Sequence, residues 1–318
     1  MAQQERATIA EAQAPQFELR RQLPFYVDVL RRLVREKPLG LFGGALVLLI
    51  AILAVTASWT APFEPNQLGA GGRLEAPSTA HFFGTDNLGR DVFSRIVWGA
   101  RIAMFVGFAA VVVATFISVA LGLLSGYFGG WFDILVQRLV DAFIAFPALV
   151  FLLGVVAVFR DWQAPFLQRE GVFSTPVFII IISLGILFGV GQSRIIRGAV
   201  LSVSQATYVE AARAIGVGHT RMILRHILPN VMAPIITLAT LGLGNAILAE
   251  ATLSFLGLGV PPDVPSWGGM LSREARIHMT VGWWLAVFPG VALSAAVFGF
   301  NMLGDALRDL LDPRLRTG

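Results

Sequence analysis

Residues 207–230 read TYVEAARAIGVGHTRMILRHILPN and lie between two apolar runs, 176–193 and 234–257. The stretch is compact, basic and helical in pattern, in a chain that is apolar almost throughout. Thr207 and Glu210 fit a capping box, in which the Thr207 hydroxyl takes one orphan amide at a helix start and the Glu210 carboxylate reaches back for another. A helix is therefore expected from about residue 208. Tyr208, Ala212 and Ile215 repeat at four and three residues and give that helix one apolar face. Gly216 and Gly218 are expected at positive φ, where the helix stops and the chain turns. A second helix is expected to run to Leu228, with Arg221 and Arg225 along one side and Met222, Ile223 and Ile227 along the other, until Pro229 ends it or opens the next apolar run. On amphipathicity alone this is a helix, a glycine hinge and a helix resting on one face of a membrane.

The rest of the chain makes the membrane unavoidable. Of 318 residues, 56% are hydrophobic and 14% charged, and mean hydropathy is +0.72; a soluble domain carries about a quarter charged residues. Apolar runs long enough to cross about 30 Å of hydrocarbon occupy 40–59, 102–125, 139–158, 176–193, 234–257 and 281–304. Six helical spans make the chain an all-α polytopic membrane protein. Basic residues near span ends stay on the cytoplasmic side. With the N-terminus inside, segments 1–39, 126–138, 194–233 and 305–318 hold 16 of the 24 Lys and Arg residues, which predicts N-in and C-in. The first apolar run follows 39 polar residues, too late for a cleaved secretory signal, and is expected to stay as an anchor. Before it, PFYVDVLRRLVREKP puts Tyr26, Leu30, Leu33 and Val34 on one helical face and Arg31, Arg32 and Arg35 mostly opposite. That pattern suits a helix lying on an anionic inner leaflet, or a frayed polar tail. Residues 1–15 are expected to be disordered. The chain thus divides into a cytoplasmic tail with an interfacial helix, 1–39, and a six-span domain, 40–318, with outer loops 60–101 and 258–280 and a cytoplasmic loop 194–233.

Several chemistries are excluded by what is missing. The single lysine, Lys37, precedes Pro38, so no GxxxxGK[ST] phosphate loop exists and the chain cannot be a P-loop ATPase by itself. None of His81, His219, His226 and His278 begins an HExxH, and with no cysteines there are no disulfides or thiolate metal sites. MLGDALRD around Asp305 lacks the first glycine of a GxGD intramembrane aspartyl protease motif. No basic cluster is interleaved with exposed aromatics, so no nucleic-acid partner is expected. Only Asp141 and Glu250 lie inside spans, a poor basis for a proton relay. Asp141 is three residues after Arg138 and is expected to form a structural ion pair with it at the inner interface. Glu250, towards the outer end of its span, either faces a translocation path or caps a packed interface.

EAARAIG, followed after GHTRMILRH by ILPN, closely resembles the EAA loop of ATP-binding-cassette (ABC) importer permeases. Glu210, Ala211, Ala212 and Gly216 fill its first half, and Ile227, Leu228, Pro229 and Asn230 its end. FGTDNLGRDVFSRIVWGARIAMFVG at 83–107, LLSGYFGGWFDILVQRLVDAFIAFP at 123–147 and EATLSFLGLGVPPDVPSWGGML at 250–271 resemble the dipeptide/oligopeptide permease family, specifically its second, C-type membrane subunit. An outer insertion at 159–175 departs from that pattern. The resemblance implies a type I ABC importer permease fold and a non-catalytic subunit in a bacterial or archaeal cytoplasmic membrane. It implies a heterodimer with a homologous B-type permease, two cytoplasmic ATPases that carry the ATP and Mg, an extracytoplasmic solute-binding protein, and no cofactor in this chain.

The same resemblance makes the island a handle held by an ATPase. Thr207, Tyr208, Glu210, Ala211, Ala212, Ile215, Gly216, Gly218, Arg221 and Arg225 are its ATPase-coupling candidates, with small Ala211 and Ala212 permitting close approach. Glu250, Asp141 and Arg138 are candidates for the translocation path or for structural roles, and Asp86, Arg90, Asp91 and Trp267 for docking of the binding protein. Gly84, Asp86, Gly89, Arg90 and Asp91 read as a polar turn before a half-amphipathic helix, Val92 to Arg101, lying along the outer interface. An ion- or proton-coupled carrier and an exporter-type permease are the rival readings; copurifying ATPases and dependence on a binding protein separate them. Peptide, nickel-chelate, glutathione and opine importers share this architecture.

Overall fold

The computed structural model describes residues 25–159, 162, 164, 167 and 171–311. Expectations for residues 1–15 and for about half of the insertion at 159–175 fall outside the described residues, as do the side chains of Tyr26 and Leu30. In chain order the helices are α1 (Phe25–Glu36), α2 (Pro38–Val55), α3 (Ala57–Thr60), α4 (Val92–Phe128), α5 (Gly130–Ile144), α6 (Ala148–Val158), α7 (Thr175–Ser204), α8 (Thr207–Ala214), α9 (His219–Phe255), α10 (Trp267–Met270), α11 (Arg273–His278) and α12 (Trp284–Leu311). Among the described residues, five helices are long and apolar enough to cross a membrane, and the bent pair α5–α6 makes six if it is one broken span.

The spans differ from the apolar runs in a systematic way. α4 has 37 residues and α7 has 30, and at about 1.5 Å per residue both exceed the hydrocarbon thickness. Val92 to Arg101 is no separate interfacial helix; it is the buried start of α4, with Val92, Ser94, Arg95, Val97 and Ala100 in the interior. Hydropathy cannot see this extension, because Arg95 and Arg101 find partners inside the protein. Arg95 Nη1 donates to Pro65 O at 2.8 Å and Asn66 Oδ1 at 2.9 Å, and Arg101 Nε donates to Ala54 O, at the end of α2, at 3.1 Å. The third span is not straight: α5 and α6 meet at 83° across residues 145–147, where Pro147 cannot continue a helix.

In a membrane, helices associate by close packing more than by hydrophobic contrast, so small residues mark the seams. Gly185 and Gly189 of α7 lie on Ala110, Val113, Ala114 and Ile117 of α4, and Gly122 and Gly126 of α4 lie on Ser193, Ile196 and Val200 of α7. The two helices therefore run parallel and are zipped over most of their length. Because they are parallel, the chain must return across the layer between them, which is what α5–α6 does. α12 runs antiparallel to α2 through Gly43 against Gly299 and Met302, and antiparallel to α9 through Gly304 against Leu241. The start of α2, the end of α12 and the 207–230 island thus share one end of the bundle, where Lys37 Nζ lies 2.5 Å from Asp309 Oδ2. Leu33 of α1 packs there on Ala306 and Leu310. Reporters fused after Gly318 and inserted within 61–80 are accordingly expected on opposite sides of the membrane; detection of both on one side would remove a crossing.

Candidate functional site

At the island, α8 begins one residue earlier than the capping box requires. Ala206, in extended backbone, is the N-cap, and its carbonyl accepts from Val209 N at 2.9 Å and Glu210 N at 3.2 Å. Thr207 is inside the first turn, no side chain caps the helix, and the box does not form. Exposed Glu210 remains at the positive end of the helix dipole. The buried face is also rotated from the expected one. Val209 and Ala212 face inward and join Leu123, Ile196, Val200, Met222 and Ile227 in one apolar cluster. Tyr208, Ala211 and Ile215, spaced three and four apart, form an exposed stripe, with Ile215 at 81% exposure.

Gly216 turns the chain at φ 78°, its N–H donating to Arg213 O at 3.0 Å while Val217 N reaches Ala212 O at 3.1 Å. Gly218 does not share the positive φ: at −65° it is the N-cap of α9, and its carbonyl accepts from Met222 N. Pro229 does not stop α9. The helix passes it by widening to a π-turn at Met222–Ile227 and tightening to a 3-10 turn at Leu228–Val231, and Asn230 Nδ2 donates to the His226 carbonyl at 2.7 Å. Arg221 and Arg225 stay exposed, opposite buried Met222 and Ile227. The turn is held to the end of α4 by Tyr127, whose hydroxyl is 2.7 Å from His219 Nδ1 and whose ring lies beneath the Arg213 guanidinium. Tyr127 carried no signal in the sequence.

The other candidates make bonds within the chain. Asp141 pairs with Arg194 of α7; Arg138 is the weaker partner at 3.9 Å, with its side chain 80% exposed. A second pair, Arg197 to Asp133 at 2.5 Å, is not legible in the sequence, since its members are 64 positions apart. Glu250 is buried: it accepts from Ser254 Oγ at 2.7 Å, and that hydroxyl accepts from Val260 N at 3.2 Å, fastening the loop after α9.

On the opposite face, the docking candidates are inside the outer layer. Asp86 accepts from Leu88 N, Arg90 N and Arg90 Nε. Asp91 caps α4 through Ser94 N at 2.7 Å and pairs with His81 Nδ1 at 2.9 Å. Trp267 is buried, its Nε1 donating to Ile96 O at 3.0 Å. Polar loop residues look exposed in a sequence, but here they replace the missing regular structure of 61–91 with side-chain bonds. The apolar groups that this loop exposes are Leu68, Phe82 and Leu88. Among the described residues no cluster of histidine and carboxylate side chains could hold a metal.

The sequence matches known families and proteins. Residues 118–317 match the family described as binding-protein-dependent transport system inner membrane component. The chain belongs to this permease family. Residues 25–77 match the N-terminal TM domain of oligopeptide transport permease C. A dipeptide transport system permease protein, DppC, of Alkalihalophilus pseudofirmus is 39% identical over 89% of this chain and 88% of its own. A glutathione transport system permease protein, GsiD, of Pectobacterium atrosepticum is 38% identical over 90% of each. A chain of the MetNI methionine ABC transporter in inward-facing conformations superposes with TM-score 0.47 at 17% identity, covering 66% of this chain and 94% of that one. As a family member the chain is a multi-pass, non-catalytic permease subunit of an ABC importer, a system that also needs an ATPase and a substrate-binding protein. The carrier and exporter readings fall with that assignment.

Proposed function

We propose that this subunit forms half of the path for short peptides, paired with a B-type permease, and that α8 is where one of two cytoplasmic ATPases grips it. The exposed Tyr208–Ala211–Ile215 stripe carries the reading. An 81%-exposed isoleucine on a loop rich in arginine has no folding role in this chain, whereas the opposite face of α8 is fixed to the bundle. A short helix bound on one side and bare on the other suits a second protein that pushes on it. Small Ala211 at the centre of the stripe admits close approach. The substrate class rests on the two permease relatives, whose systems are named for dipeptides and for glutathione, both short peptides.

Cysteine at Ala211 or Ile215 is expected to cross-link to an ATPase subunit in the assembled complex, and a cysteine on the buried face, at Val209, is not. Equal cross-linking from both faces, or none from either, would remove α8 as the contact. The chain purified alone is expected neither to bind nor to hydrolyse ATP, because Lys37 has no phosphate loop around it and pairs with Asp309. Turnover by the isolated chain that survives Lys37→Ala, with contaminating ATPases excluded, would overturn this division of labour.

A further inference from the structure

Among the long helices of the described residues, α5 is the one attached to the bundle by a single buried residue. It begins at Gly130, which with the N-cap Gly129 is at positive φ (55° and 62°), with open space where either side chain would be. It ends at the 83° bend before α6. Between these two breaks its single buried residue is Val140, while Trp131, Ile134, Leu135 and Leu139 are exposed. Within this subunit, α5 is therefore held by its ion pairs and its two ends more than by buried apolar contacts. Two ion pairs to α7 fix its angle. Arg197 grips Asp133 with two nitrogens, Nε at 2.6 Å and Nη2 at 2.5 Å, and Arg194 pairs with Asp141. Asp133 and Asp141 are eight residues apart on α5 and their partners three apart on α7, so the two pairs tie the length of α5 to one short stretch of α7.

α7 leads into α8 through only Gln205 and Ala206, and α4 is zipped to α7 by the glycine seam. Force on the island therefore reaches the α4–α7 pair as one body. We propose that α5 is the moving bar of a gate at the island end of the bundle, and that Arg194 and Arg197 are the positioning residues through which the island sets its angle. The inference rests on the coupling role assigned to α8. Ion pairs suit such a bar because removing one partner strands the other charge, which gives it defined seats and no continuum of positions.

The test uses the complete transporter in liposomes, with its binding protein and with alanyl-alanine or glutathione as probe. ATP hydrolysis is read with and without liganded binding protein, alongside uptake. Asp133→Asn with Arg197→Gln removes one tie without stranding a charge. Stimulation of hydrolysis by the binding protein is expected to fall about tenfold, and uptake with it, within the range of a typical coupling contact. Asp133→Arg with Arg197→Asp rebuilds a pair of opposite charges and should recover stimulation to within about twofold of wild type. A merely structural pair would lower the yield of complex and leave the stimulation ratio of what assembles unchanged; that outcome overturns the proposal. So does a charge-swapped complex no better coupled than the neutral one. Should the neutral pair fail to assemble, the swapped complex decides alone by the same ratio. Neither result touches the coupling role of α8, which stands or falls with Ile215→Asp, a variant remote from these ion pairs.

Discussion

Leucine at Gly122 is expected to prevent accumulation of the folded permease, whereas leucine at Gly198, in the partner helix of the same seam, is expected to be tolerated. A Cβ on Gly122 would lie 2.6 Å from the Ser193 carbonyl oxygen and 2.9 Å from Arg197 N. Both are backbone atoms, so no rotamer change can relieve the overlap and α4 must lift from α7. Overpacking a core costs about 1–3 kcal/mol where side chains can yield; a backbone contact puts this substitution at or above the upper end. Gly189→Leu is expected to match it, since a Cβ there would meet Ala114 O at 2.8 Å and Ile117 Cβ at 2.7 Å. Gly198 has nothing within 4 Å of that position, and leucine is the better helix former by up to about 1 kcal/mol. Membrane yield and thermal retention in detergent measure the contrast. Equal yields for Gly122→Leu and Gly198→Leu would mean that the α4–α7 seam is not the spine of the fold.

Aspartate at Ile215 is expected to abolish uptake while leaving the subunit itself intact. The side chain is 81% exposed, and substitutions at such positions usually change stability by no more than about 0.5 kcal/mol. If the stripe is the ATPase contact, a carboxylate at its end acts as a lost hot spot, worth about 2 kcal/mol or more, a loss of roughly thirtyfold in binding. Gly216→Pro is expected to be as severe for a different reason. Proline fixes φ near −65° and deletes the N–H that Gly216 gives to Arg213 O, so the turn at φ 78° cannot form and α8 is misaimed. Gly216→Ala, with left-handed backbone strain of about 1–2 kcal/mol, should keep partial uptake. Copurification of the ATPases and uptake are measured together. An Ile215→Asp complex that retains its ATPases and transports at the wild-type rate would show the stripe facing solvent in the working machine.

Sequence alone determined the membrane class, the apolar runs that become the long helices and the presence of a helical island between two of them, because each depends on composition or on local periodicity. The EAA pattern also named the helix, its glycine turn and its proline. Local pattern could not say which face of α8 is buried: Tyr208, Ala212 and Ile215 look like a core stripe until Val209 is seen under Val200 and Met222. It misplaced the helix cap by one residue, because Ala206 takes the extended backbone and contributes only its carbonyl. The tertiary structure alone decided the roles of the charged residues. Asp91 needed His81, Asp133 needed Arg197 and Asp141 needed Arg194, and each partner is chosen by where helices cross and not by spacing along the chain. The bend in the third span is likewise tertiary: with α4 and α7 zipped parallel by their glycines, the chain between them has to return across the bundle, and Pro147 marks where it turns.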